Sequence, residues 1–261
     1  MSIHTAMPSS NIKASNKNSS KDNKKIDTDI EIDSLLHLLH LVSPALPVGA
    51  YAYSQGLETA VENQWVNSFE TSKDWIGNVM SEGLGCLDLP VLLRVTKAWQ
   101  TNDIKKIDRW NNFLLVSRES KELLLEDTQM GEALLRLLAD LDVKQAAEWQ
   151  EENQKREDQL KQKPSFVTMF ALAATHWKVD ESSMLKGFVW SWLENQVAAA
   201  IKLVPLGQTD AQKLLIALMP NVNKVVEKSY TIEAEDIGSN LPRLAIGSMQ
   251  HETQYSRLFR S

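Results

Sequence analysis

A single cysteine, Cys86, occurs in 261 residues. It excludes an intramolecular disulfide, and no site built on several thiolates can form from it. No apolar run approaches the ~20 residues that span a bilayer, and the N-terminus has no apolar signal-peptide core. The expectation is a soluble, cytoplasmic protein without a membrane partner. Positive charge is also short, with 28 Lys and Arg against 34 Asp and Glu and a formal charge of −6. A domain devoted to nucleic-acid phosphates needs a basic face, so nucleic acid is not the expected partner. Alternating strand patterns and Asn-Gly or Asp-Gly hairpin turns are missing. So are the phosphate-cradling Gly-x-x-x-x-Gly-Lys loop, Gly-x-Gly-x-x-Gly, His-Glu-x-x-His and Gly-x-Ser-x-Gly. The sequence therefore shows no catalytic constellation and no dedicated cofactor site.

What is present is helical periodicity. Residues 1–30 are dominated by Ser, Asn, Lys and Asp, cannot bury enough apolar area to offset the entropy of ordering, and are expected to form a disordered tail. Residues 31–261 read as one all-α domain, a bundle of about ten helices. Leu35 to Val42 opens it and Pro44 stops it. Thr71-x-x-Asp74 has the form of a capping box, Gly83 and Gly85 are expected to end that helix, and Asp88 with Pro90 to restart the next. Asp103 caps a helix whose Ile104, Ile107, Trp110 and Leu114 form one stripe. Arg118 to Leu141 is the longest periodic block, where Gly131 marks a close helix crossing or a break. A short helix at Lys144 to Trp149 precedes a charged excursion at about 151–163. Asp180 caps a long, apolar, central helix, Glu181 to about Leu203. Thr209-x-x-Gln212 opens a helix to Met219, and a further pair is expected over Asn223–Tyr230 and Glu233–Ile237.

Two stretches depart from plain helix. Ser43 to Glu58 holds Pro44, Pro47, Gly49, Tyr51, Tyr53 and Gly56 in one connection. Gly49 can take positive φ, and Ser54 can accept from the first amides of a helix at Gln55–Asn63. If the backbone is extended, Tyr51 and Tyr53 point to one side, either as plugs of the core or as interface rings. Met249 to Ser261 mixes aromatic, apolar and arginine residues, which fits either interface anchors or a final amphipathic helix. His37 and His40 share a helix face but supply two metal ligands at most, and His176 suits a helix C-terminal dipole.

The run Ser43-Pro-Ala-Leu-Pro-Val-Gly, with Tyr51 and then Ser54-Gln-Gly-Leu-Glu58, resembles the hallmark of the urease accessory protein UreF family. Further blocks agree in order: Asp88-Leu-Pro, Ser117-Arg-Glu-Ser-Lys-Glu122, Gln129-Met-Gly, Phe170 to Trp177, Val204-Pro-Leu-Gly-Gln208, Met249-Gln-His-Glu252 and Tyr255-Ser-Arg-Leu-Phe259. The resemblance implies a non-enzymatic, all-helical homodimer that binds no cofactor itself and works in nickel loading of urease. It implies binding to UreD (UreH in some organisms), recruitment of the GTPase UreG, and action on apo-urease. It assigns GTPase recruitment near the dimer interface to Tyr51 and Arg257, with Pro47 and Gly49 holding the tyrosine, and leaves Tyr53 as packing. It also implies a tail at about 249–261 that orders when UreD binds, with Tyr255, Leu258 and Phe259 as anchors. A metal-binding or hydrolytic enzyme and a generic helical adaptor are the competing readings.

Overall fold

The computed structural model describes Met1 and residues 33–157 and 162–261. Apart from Met1, the expected disordered tail lies outside the described residues, as does the middle of the charged excursion. Helix α1 covers 33–41. After a first 3-10 turn at Ala50–Ala52, which a second at Ala234–Asp236 echoes late in the chain, come α2 (Leu57–Glu62), α3 (Phe69–Asn78), a π-helical segment (Val79–Asp88), α4 (Leu89–Gln100), α5 (Ile104–Val116) and α6 (Lys121–Asp140). Then follow α7 (Lys144–Lys155), α8 (Phe166–His176), α9 (Glu181–Leu203), α10 (Gln208–Tyr230) and α11 (Pro242–His251). No strand occurs among the described residues, and the class is all-α.

The centre is α8, buried from Val167 to Ala174, which lies between α4 and α6 while α10 packs along α9. Its apolar, small-residue composition lets neighbours approach on all sides. Gly131 provides the closest approach: a Cβ there would collide with the Pro164 carbonyl and stand 2.7 Å from the Ser165 carbonyl carbon. Asp103, Ser120, Ser165 and Asp180 each cap a helix through a side-chain oxygen, so these boundaries follow local chemistry.

Elsewhere tertiary packing overrides local signals. Ser68, with Thr71, forms the capping box of α3; the box therefore sits one turn earlier than Thr71-x-x-Asp74. Gly83 and Gly85 do not end the helix. The backbone widens into the π segment and continues, so α3 to α4 form one rod, Phe69–Gln100. Gly85 faces the Val225 side chain, 3.0 Å from where its Cβ would stand, so it lets the π segment pack closely against α10. Asp88 is helical and makes no cap hydrogen bond; its carboxylate turns to Arg118 instead. The rod is long and apolar enough to cross a bilayer, which the separate segments did not show, but 72% of its apolar window is buried inside the domain. Pro220 lies within α10. It removes one backbone donor, and the helix continues because Leu214, Leu215 and Leu218 before it and Val222, Val225 and Val226 after it are all buried. The helix begun at Lys144 runs on to Lys155, and Asn153 clasps Gln162 through both its amide groups.

Candidate functional site

Leu46 and Val48 are buried and pin the chain that follows α1. Gly49 adopts φ 80°, which reverses the chain into the turn at Ala50–Ala52. This turn separates the two tyrosines. An extended backbone would have put them on one side; instead Tyr51 is 71% exposed while Tyr53 is buried. The Tyr53 hydroxyl donates to Gln129 Oε1 at 2.7 Å, and burial raises its pKa further, with a hydrogen bond from Arg260 opposing. Asn195 Nδ2 on α9 donates to the carbonyls of Ala50 (3.0 Å) and Tyr53 (3.3 Å). The turn is therefore fastened from below, with Tyr51 free above it.

The chain then takes two left-handed residues, Gln55 (φ 52°) and Gly56 (φ 73°), so α2 starts at Leu57, later than expected. The strained Gln55 backbone is matched by its side chain. Its Oε1 accepts from Trp192 Nε1 and its Nε2 donates to Glu126 Oε1, both at 2.7 Å. Left-handed non-glycine residues persist where surroundings over-determine them.

Beyond α11, residues 252–261 form an irregular strap on the same domain rather than an extended amphipathic helix. Glu58 Oε1 accepts from the Leu258 amide (2.7 Å) and Glu58 Oε2 from the Phe259 amide (2.8 Å). The Arg260 amide donates to the Ala52 carbonyl, and both the amide and the hydroxyl of Ser54 donate to the Ser261 carbonyl. Ser261 Oγ donates to Glu126 Oε2 at 2.8 Å. The strap is thus tied to the C-terminal end of the turn that displays Tyr51, at Ala52 and Ser54. Phe259 is buried, with Lys202 Nζ 5.4 Å from its ring centroid. Leu258 is 64% exposed and Tyr255 entirely so.

A buried polar cluster lies beneath the strap. His251, fully buried at the end of α11, places Nδ1 2.7 Å from Glu122 Oε2 and Nε2 3.2 Å from Glu58 Oε2. An imidazole can donate to both only when it carries two protons. Both ring nitrogens thus face carboxylates of this chain. Arg257 Nη1 pairs with Glu122 Oε1 at 2.8 Å while its side chain stays part-exposed. Burial raises the pKa of Glu126 to about 7, against hydrogen bonds from Gln55 and Ser261 and the Arg118 charge.

Two hollows flank this framework. One, of about 360 Å³, lies under Tyr51 and reaches Gln55, Glu126, Trp192 and Asn195. In its wall Arg118 joins Asp88 (2.6 Å) and Asp127 (2.8 Å). Burial opposes the guanidinium charge, yet the two carboxylates outweigh it and raise its pKa. The other, of about 640 Å³, is lined by Arg257 with Tyr53, Glu122 and Arg260. Tyr51 and Arg257 therefore belong to neighbouring hollows, linked through Glu58, Glu126 and the strap rather than by a contact of their own. His37 and His40 lie against the Trp177 ring, at 5.0 and 5.9 Å between centroids. No group of three or more His, Cys, Asp or Glu arranged to hold a metal occurs among the described residues.

The UreF family model matches residues 66–219. Full-length similarity extends further. A urease accessory protein UreF of Teredinibacter turnerae is 51% identical over 229 residues, 88% of this chain and 99% of the relative. The chain belongs to the UreF family. The UreF protein of Hahella chejuensis is 48% identical over 228 residues, 87% of this chain and 98% of its own. That of Psychrobacter cryohalolentis is 46% identical over 228 residues, 87% and 94% respectively. In this UreF-family chain, sequence reasoning missed the acids that assemble the site. Glu58, Glu122 and His251 lie in the ordered motif blocks, and nothing local marks them as partners.

Proposed function

We propose that this protein is a non-catalytic scaffold of urease maturation. In this reading it works in the cytoplasm as a homodimer, binds UreD (or UreH), recruits the GTPase UreG, and assists nickel loading of apo-urease while holding no nickel or other cofactor itself. Family membership supports the accessory role. The observation that carries the recruitment surface is the joint anchoring of two exposed groups. Tyr51 stands on a turn fixed by Gly49, Asn195 and the strap, and Arg257 on a strap fixed by Glu58 and Glu122. A partner that reads both meets a preorganised surface, which reduces the ordering cost of association. Pro47 and Gly49 set the turn, while Tyr255 and Leu258 present apolar area on the UreD side and Phe259 anchors the strap from within. Gene deletion tests the role: urease activity should fall without this protein and recover partly with added nickel. Full activity in the deletion strain would refute it.

A further inference from the structure

We propose that the hollow under Tyr51 receives an arginine side chain presented by a partner protein. This rests on reading the Tyr51 face as the recruitment surface, and it names the chemistry of the group that enters. Five carboxylates, from Asp88, Glu119, Glu126, Asp127 and Glu194, line the hollow against one guanidinium, that of Arg118. Arg118 is already committed to Asp88 and Asp127. Glu119 accepts from the Ser239 hydroxyl, and Glu126 receives hydrogen bonds from neutral donors, Gln55 and Ser261. Glu194 has neither a hydrogen bond nor an ion pair among the described residues, and burial alone raises its pKa. A carboxyl desolvated without a partner gains most from an incoming cation.

Most of the remaining wall is apolar, including Leu46, Val48, Leu84, Phe188 and Trp192, with Gln55, Asn195 and several serines between. About 360 Å³ admits a side chain of several carbons and a planar head. The carboxylates do not converge as metal ligands among the described residues, so the lining suits a diffuse organic cation on an apolar stem better than a compact divalent ion. Guanidinium is planar, weakly hydrated, able to bond separate carboxylates and to stack on indole or phenol rings, whereas ammonium is a strongly hydrated point charge.

The test titrates the full chain with n-butylguanidinium, n-butylammonium and neutral n-butylurea, read by calorimetry and ligand-observed NMR. Saturable guanidinium binding at least about fivefold tighter than that of either analogue is expected, with the preference over urea lost in Glu194→Gln. Glu194 is part-exposed, so the variant should fold, and its unfolding midpoint checks this. Equal binding of urea or ammonium, no saturable binding, or an unchanged preference in Glu194→Gln overturns the proposal. GTPase capture without guanidinium binding overturns this inference alone. Guanidinium binding by a protein that captures no GTPase upholds the cation site and overturns the recruitment reading alone.

Discussion

Replacing Glu58 by alanine should release the strap while the bundle stays folded. The Glu58 carboxylate accepts from the Leu258 and Phe259 amides at 2.7 and 2.8 Å and faces His251 Nε2 at 3.2 Å. Hydrogen bonds to a charged group contribute about 1.5–3 kcal/mol each. Losing the two amide bonds removes about 3–6 kcal/mol of local stability, toward the lower end where the freed amides can turn to water. His251 keeps Glu122 as a partner, which limits the damage beneath. The remaining ties, Phe259 burial and the Ser261 contacts, are worth a similar few kcal/mol, so the strap opens often without being wholly lost. Hydrogen exchange with mass spectrometry should show amides in 252–261 exchanging roughly 100-fold faster or more, with α8 and α9 unchanged, because each 1.4 kcal/mol is about tenfold in an opening equilibrium. Unchanged strap exchange would refute the idea that Glu58 fastens it. Equal acceleration throughout the bundle would show that Glu58 supports the whole fold instead.

Three further outcomes follow from the same geometry. Gly131→Ala puts a methyl group into the Pro164–Ser165 backbone and should destabilise by about 3 kcal/mol in urea unfolding; a loss below about 1 kcal/mol would contradict the close crossing. Glu126 titrates near 4.5 when unfolded and about 7 when folded, so between these values the folded chain holds a proton the unfolded chain has released. Its contribution is full below pH ~4.5 and is lost as pH rises through about 7, up to about 3 kcal/mol relative to Glu126→Gln; parallel pH profiles for the two proteins would exclude this. Tyr51→Ala should leave the unfolding free energy within about 0.5 kcal/mol of wild type, because the ring is exposed; a larger drop would make Tyr51 a packing residue.

The sequence made legible what local chemistry decides. Asp103 and Asp180 cap the helices they were expected to cap, Ile107 and Leu114 of the expected stripe are buried while Ile104 and Trp110 pack half-buried beside them, and Gly131 marks a crossing. Misreadings arose where distant packing overruled a local signal. Gly83 and Gly85 are expected to end a helix, and separate helices are expected to Met219 and from Asn223, yet the helices run through all these positions because buried apolar residues flank them. Asp88 read as a cap, but Arg118, 30 residues on, takes its carboxylate. The left-handed Gln55 owes its conformation to Trp192 and Glu126, 137 and 71 residues away. The Glu58–His251 pair is separated by 193 residues, and no periodicity or spacing rule reaches that far. Tyr51 and Arg257 make no contact of their own; they stand on a turn and a strap that hydrogen bonds from Arg260 and Ser54 join.

The most direct test of the scaffold reading is capture of the GTPase from a complex with UreD. Arg257 is part-exposed, and its partner Glu122 keeps His251 when the arginine is removed, so Arg257→Ala should leave folding, self-association and UreD binding intact. Truncation of an interface arginine commonly costs 2 kcal/mol or more, equal to a roughly 30-fold or greater loss of affinity. The account predicts that UreG fails to co-purify with the Arg257→Ala complex, and undiminished co-purification would contradict it.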